Sequence, residues 1–225
     1  MRLPIGTLAF CPPTLSLSYD AVLRIIAVHG AASVADRVSP ILSCVCLRSI
    51  PIATDVCNGN ALAIVATDGK FLLEEQWRTL DAGSLTDTEI NLGPQAVEQL
   101  ALWLKSVKST LGKRSSCTME LTWDGKIATF RVPGLAIDEC PLRAAEGSFP
   151  GYAHVLRPGG EPSPTSKIGF NLAYYSALAK AWKQPKQDCL SVECKHYRGT
   201  ILRMLRLPIG CHSAMALIMP ISLPT

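Results

Sequence analysis

Two Cys–His pairs carry the side chains that zinc prefers: Cys194 with His196 in SVECKHY, and Cys211 with His212 in GCHSA. Their spacing fits no standard zinc pattern, and both pairs sit in runs of alternating apolar residues, which strand packing explains. A Cys–His nucleophile would need a base oriented by a third group, and nothing nearby supplies one. Asp68, Asp124 and Asp138 are the carboxylates to weigh for acid–base work. Asp68 and Asp124 each precede a glycine, in TDG and WDG. At such hairpin turns Asp is favoured because its side chain bonds its own backbone. Neither a phosphate loop nor a dinucleotide fingerprint occurs. The sequence therefore predicts no catalytic residue, no metal and no cofactor. It points to a protein that binds rather than one that reacts.

The elements behind these residues follow from composition and period. Hydrophobic residues make up 48% of the 225, charged residues 18% and aromatics 6%, so a large aliphatic core is expected. The formal charge of +4 permits an acidic partner without requiring one. Nine cysteines, an odd number, read as reduced and mostly buried thiols. The opening MRLPIGTLAFC has one charge, a short apolar stretch broken by Pro4, and Phe10 where a cleavage site needs a small residue. A secretory leader is not expected, nor is a membrane span, so the predicted location is the cytoplasm. The tail MALIMPISLPT is too short to cross a bilayer, and Pro220 cannot continue a helix or a central strand. It reads as a last strand that leaves its sheet at Pro220.

Three segments open alike: LSLSYDAVLRIIAVHG from Leu15, INLGPQAVEQLALWLK from Ile90 and IGFNLAYYSALAKAWK from Ile168. Each begins with strand alternation, passes a turn or polar residue (Ser18, Gly93, Asn171) and continues with a helical period. The periodic residues are Val22, Ile25 and Ile26; Val97, Leu100 and Ala101; and Tyr175, Leu178 and Ala179. Strand-like runs follow each helix. The expected fold is α+β: repeated strand–helix–antiparallel-strand units, with the helices on one face of the sheets. The helices also share a basic bias, through Arg24, then Lys105 and Lys108, then Lys180 and Lys183. Scattered lysines usually mark a solvated face; equivalent helices on one side of a sheet could instead build a surface for phosphates.

Four stretches together resemble the bacterial sliding clamp, the beta subunit of the replicative DNA polymerase. VATDGKFLL (65–73) resembles its TDG turn, and GSFPGYAHVLRP (147–158) its FPDY-x-x-VLP segment. KIGFNLAYYSALAKA (167–181) resembles the strand-to-helix opening of its last domain, and ALIMPISL (216–223) its terminal VVMPMRL. All four occur in the family's order. The resemblance implies the DNA-clamp fold and a hydrophobic groove that accepts short apolar peptides from polymerases, the clamp loader and repair proteins. Carried over by position, the groove residues are Thr67, Gly69, Lys70, Phe71, Leu72, Pro150, Val155, Leu217, Met219, Pro220 and Ile221. Lys70 and Phe71 stand where the family usually has His-Arg, and Ser222 replaces its usual arginine, so an altered peptide preference is expected.

By the same resemblance, residues 1–146 correspond to a complete middle clamp domain. Residues 147–225 correspond to a linker and the second half of the last domain. Three half-domains in place of six leave an unpaired sheet edge, and association of copies through residues 165–225 is expected. The implied function is that of a processivity factor. It would hold duplex DNA through Arg24, Lys105, Lys108, Lys180 and Lys183 without reading sequence, and tether replication proteins through the groove. The rival readings are an adaptor or decoy that keeps the groove but encircles nothing, and an unrecognised Cys/His enzyme.

Overall fold

The computed structural model describes residues 13–32, 39–53, 58–80, 88–112, 117–152, 171–182, 193–197, 201–206 and 211–218. The first unit is β1 (Thr14–Ser18), α1 (Tyr19–Ala32) and the meander β2 (Val45–Ala53), β3 (Asn58–Thr67) and β4 (Phe71–Arg78). The second is β5 (Glu89–Leu92), α2 (Pro94–Leu111), β6 (Thr118–Trp123), β7 (Ile127–Arg131) and β8 (Cys140–Arg143). The third contributes α3 (Leu172–Trp182) and β9 (Glu193–Tyr197), β10 (Ile201–Arg206) and β11 (Cys211–Ile218).

The helix starts follow from the residues that precede them. Ser18 Oγ accepts the Ala21 N–H at 3.2 Å, and Asn171 Oδ1 accepts the Ala173 N–H at 2.9 Å, so both act as side-chain caps. Gly93 has no side chain to offer; there Pro94 opens the helix with its preset φ.

The first two units exchange their leading strands. One sheet has the order β1-β6-β7-β8, and the other begins β5-β2-β3-β4. Residues of both sheets and all three helices share one main core, in which α1 contacts both α2 and α3. The helices thus form a layer α2-α1-α3. The third unit extends the second sheet: β11 pairs antiparallel with β4, with Leu217 opposite Leu72 and Ile218 opposite Phe71. The complete order is β5-β2-β3-β4-β11-β10-β9. β4 and β11 are the last strands of their units, so units one and three meet through equivalent edges with their helices packed above.

Strand alternation divides this sheet into two faces. Val45, Leu47, Leu62, Ile64, Phe71, Leu73, Ala216 and Ile218 face the helices in the main core. Cys46, Ala63, Val65, Leu72 and Leu217 face the other way and form a second, smaller cluster. The period read for the third helix needs one correction. Tyr175 is 41% exposed, and it is Tyr174 that turns inward to stack on Phe71, centroids 5.3 Å apart.

The two DG turns are alike locally but not equivalent in the repeat. Asp68 Oδ1 accepts the N–H groups of Lys70 and Phe71 at 2.8 and 2.6 Å, and Asp124 Oδ1 those of Lys126 and Ile127 at 2.8 and 2.7 Å. Gly69 and Gly125 both have positive φ, 85° and 99°, as primed hairpin turns require. Yet TDG joins the second and third strands of its meander, whereas WDG joins the first and second of its own.

Candidate peptide cleft and helical face

The second cluster forms on the sheet face away from the helices. Its floor is Cys46, Ala63 and Val65 with Leu72 and Leu217, from three strands of the first unit and one of the third. Phe149 and Tyr152 close over it, 4% and 7% exposed, with rings edge to face at 6.0 Å. Ile41, Ile50 and Met215 pack around them. Three of the stretches singled out in the sequence therefore meet here: the strand after TDG, the FPGY segment and the tail strand.

Polar side chains strap the FPGY segment down. Glu89 accepts the Phe149 N–H and the Asn91 amide on Oε1, and Arg48 on Oε2 at 2.6 Å. The Asn91 amide also donates to the Gly147 carbonyl at 3.0 Å. Arg48 lies over the Tyr152 ring, 5.8 Å from its centroid. On Glu89, burial pushes the carboxyl upward, but the Phe149, Asn91 and Arg48 bonds together outweigh it and hold the group below its ordinary value. The Tyr152 phenol is raised, first by burial and then by the neighbouring Glu74 carboxylate, to which it is hydrogen-bonded.

The family-derived positions divide on this geometry. Leu72 and Leu217 lie in the cluster. Thr67 is buried and donates from Oγ1 to the Phe71 carbonyl at 2.8 Å, closing the turn rather than lining the cleft. Gly69 and Lys70 are exposed at that turn, and Pro150 is exposed between the two buried aromatics. Phe71 is a correction: one step along the strand from Leu72, it points to the opposite face and is buried in the main core against Tyr174. Tyr174 also bonds Asp68 of the turn, and burial together with that bond pushes its phenol up to about 12. Val155, Met219, Pro220 and Ile221 lie outside the described residues.

On the helical face, Lys105, Lys108 and Lys180 are exposed. Lys108 and Lys180 stand in the last turns of α2 and α3, where a cation also complements the helix dipole. Lys183 lies outside the described residues. Arg24 is the second correction. Its Nε donates to Glu75 Oε2 at 2.8 Å, one Nη to Glu75 Oε1, and the other to the Ala181 carbonyl at 2.7 Å. The guanidinium is committed to a fully buried carboxylate, because α1 packs on β4 with α3 beside it. His29 Nε2 is 3.0 Å from the Ser43 carbonyl, and burial, outweighing that bond, lowers its pKa. The exposed positions of α1 are Asp20, Leu23 and Gly30, none of them a cation.

Sequence reasoning passed over Phe149, Tyr152, Glu89 and Asn91. FPGY contained the two aromatics, but only tertiary packing puts them inside and Pro150 outside. A hollow of about 690 Å³ lies beside the WDG turn, bordered by Trp123, Lys126, Arg143 and Glu146, and reaches Glu89 and Asn91 of the strap. Its rim carries both signs of charge. Cys44, Cys46 and Cys140 are buried free thiols with pKa raised by burial. Cys194 and His196 fall on β9, and Cys211 and His212 on β11. Among the described residues no helix is long and apolar enough to cross a membrane.

Strand–helix–meander units, the first two with exchanged leading strands, thus line up with helices on one side of the long sheet and a second apolar cluster on the other. This chain has the fold of the bacterial sliding clamp, the beta subunit of DNA polymerase III. The Caulobacter crescentus pol III beta structure superposes with a TM-score of 0.69 at 13% identity, covering 99% of this chain and 70% of that one. The Thermotoga maritima beta subunit gives 0.65 at 13% identity, covering 99% and 69%. The Pseudomonas aeruginosa beta subunit gives 0.66 at 14% identity, covering 97% and 69%. No protein-family model matches the sequence. No curated protein matches it either.

Proposed function

We propose that this protein is a non-enzymatic, clamp-like processivity factor. It holds duplex DNA by its phosphates and tethers replication proteins that carry a short apolar peptide. The observation that carries the reading is the apolar cluster in which Leu72, Phe149, Tyr152 and Leu217 meet on the outer face of a clamp-fold sheet. Polarizable, adaptable side chains such as Met215 suit a site that accepts several related peptides. The neighbouring tail residues Met219, Pro220 and Ile221 and the linker residue Val155 would complete the wall. On this reading the chain divides into a clamp domain, 1–146, and a linker plus half domain, 147–225.

DNA contact falls to Lys105, Lys108 and Lys180, on the two helices that flank α1, with Lys183 next in sequence after α3. Association of copies would use the third unit. Among the described residues, nothing pairs with the outer side of β9. The β8 edge, in contrast, is short and carries Pro141, whose carbonyl is taken by the Gln99 amide at 3.2 Å; such an edge resists pairing. A second reading, an adaptor that keeps the cleft without embracing DNA, is favoured by one observation: the middle helix has given up its cation to Glu75.

Titration with a short clamp-binding peptide, wild type against Met219→Ala, tests the cleft; equal affinities would overturn it. Duplex binding across a salt series separates the two readings. Affinity that falls steeply with salt supports the processivity factor, and the absence of binding at low salt leaves the adaptor.

A further inference from the structure

Glu75 lies at the centre of β4, and its carboxylate is wholly buried. It points to the helix side, opposite the cleft cluster. Four N–H groups converge on it. Two come from Arg24 of α1, one from Trp77 Nε1 at 3.1 Å and one from Trp182 Nε1 of α3 at 3.1 Å. Arg24 also donates to the Ala181 carbonyl, next to Trp182 in the last turn of α3. Burying a carboxylate is costly unless its charge is paired and its lone pairs are satisfied. Arg24 and Trp77 of the first unit meet the first condition and part of the second; the set of donors is complete only when α3 is in place, because the third unit supplies the Trp182 N–H. Trp182 is itself 2% exposed and among the largest fully packed side chains of the core.

We infer that Glu75 is a positioning residue that seats the third unit on the first, and so fixes β11 against β4 from the face opposite the cleft. The carboxylate holds the C-terminal end of α3. Tyr174 holds its N-terminal end by stacking on Phe71 and bonding Asp68. With α3 fixed at both ends along β4, β11 pairs in the register that places Leu217 beside Leu72. Only the consequence for the cleft rests on the peptide-binding reading; the seating is independent of it.

Hydrogen exchange of the full chain, followed segment by segment, tests the seating without any ligand. Glu75→Gln keeps the shape and removes the charge, leaving the part-buried Arg24 without its charged partner. Exchange of α3 and β11 should rise by about tenfold or more, while β6 and β7 stay near wild type. A uniform rise across both sheets, or no rise in α3 and β11, overturns the inference. Adding Arg24→Met to Glu75→Gln should restore part of the protection, because the stranded charge is removed; an additive loss would refute the pairing. If Glu75→Gln does not fold, Trp182→Phe takes its place. It deletes only the donor of the third unit and should give the same regional pattern in weaker form. Peptide titration separates the two ideas: a regional exchange rise in a protein that binds no peptide sustains the seating and removes the cleft reading.

Discussion

Phe149 and Pro150 are neighbours, yet the structure gives them opposite weight, and Phe149→Ala measures the difference. Phe149 is 4% exposed, and its ring meets Tyr152 edge to face. Truncating a buried Phe costs about 3–5 kcal/mol. The second cluster is small and lies outside the main core, so its walls can partly collapse and the lower end applies. Loss of the aromatic pair, about 0.5–1.5 kcal/mol, keeps the total at ~3 kcal/mol. For a chain of this size each kcal/mol moves Tm by about 2–4 °C, so a fall of roughly 6–12 °C is expected. Urea unfolding should show a lower midpoint with an unchanged slope. Pro150→Ala, at an exposed position, should change stability by less than about 0.5 kcal/mol. If Phe149→Ala costs under about 1 kcal/mol, or Pro150→Ala costs as much as it does, the FPGY segment is not anchored through its aromatics.

Further outcomes follow from the same geometry. Gly69→Ala places a Cβ in open space but at φ 85°, so backbone strain alone should cost about 1–2 kcal/mol, read by thermal unfolding. Reversing Lys105, Lys108 and Lys180 to Glu should flatten the slope of log affinity against log salt by about 0.9 for each phosphate no longer neutralised. Arg24→Gln should leave that slope alone and lower stability instead. Glu89 is held below its ordinary value in the folded state, so its contribution is complete above its unfolded pKa and disappears as pH falls through the folded one. Acid titration should therefore loosen residues 147–152, and Glu89→Gln should remove that sensitivity. His29 is lowered by burial, so the unfolded chain takes up its proton first and stability falls as pH drops below about 6.5. His29→Gln should flatten that part of the unfolding profile.

Local features were legible in the sequence. Ser18 and Asn171 cap helices, DG turns close hairpins, and strand alternation assigns each residue to one face, because these depend on interactions within a few residues. The three similar openings announced the repeated unit. Leu72 and Leu217 were legible as partners only through the resemblance of their flanking motifs. What the tertiary structure decided was direction and partnership. Phe71 and Leu72 are equally apolar, and only the packing of α3 on one side and the FPGY segment on the other determines which faces the cleft. Arg24 has the composition of a phosphate ligand, and only the packing of α1 on β4 gives it to Glu75, with Trp182 of α3 joining the same carboxylate. Cation, carboxylate and indole lie 51 and 107 residues apart in the chain; no local period encodes such a contact, because it exists only once separate units share one buried face.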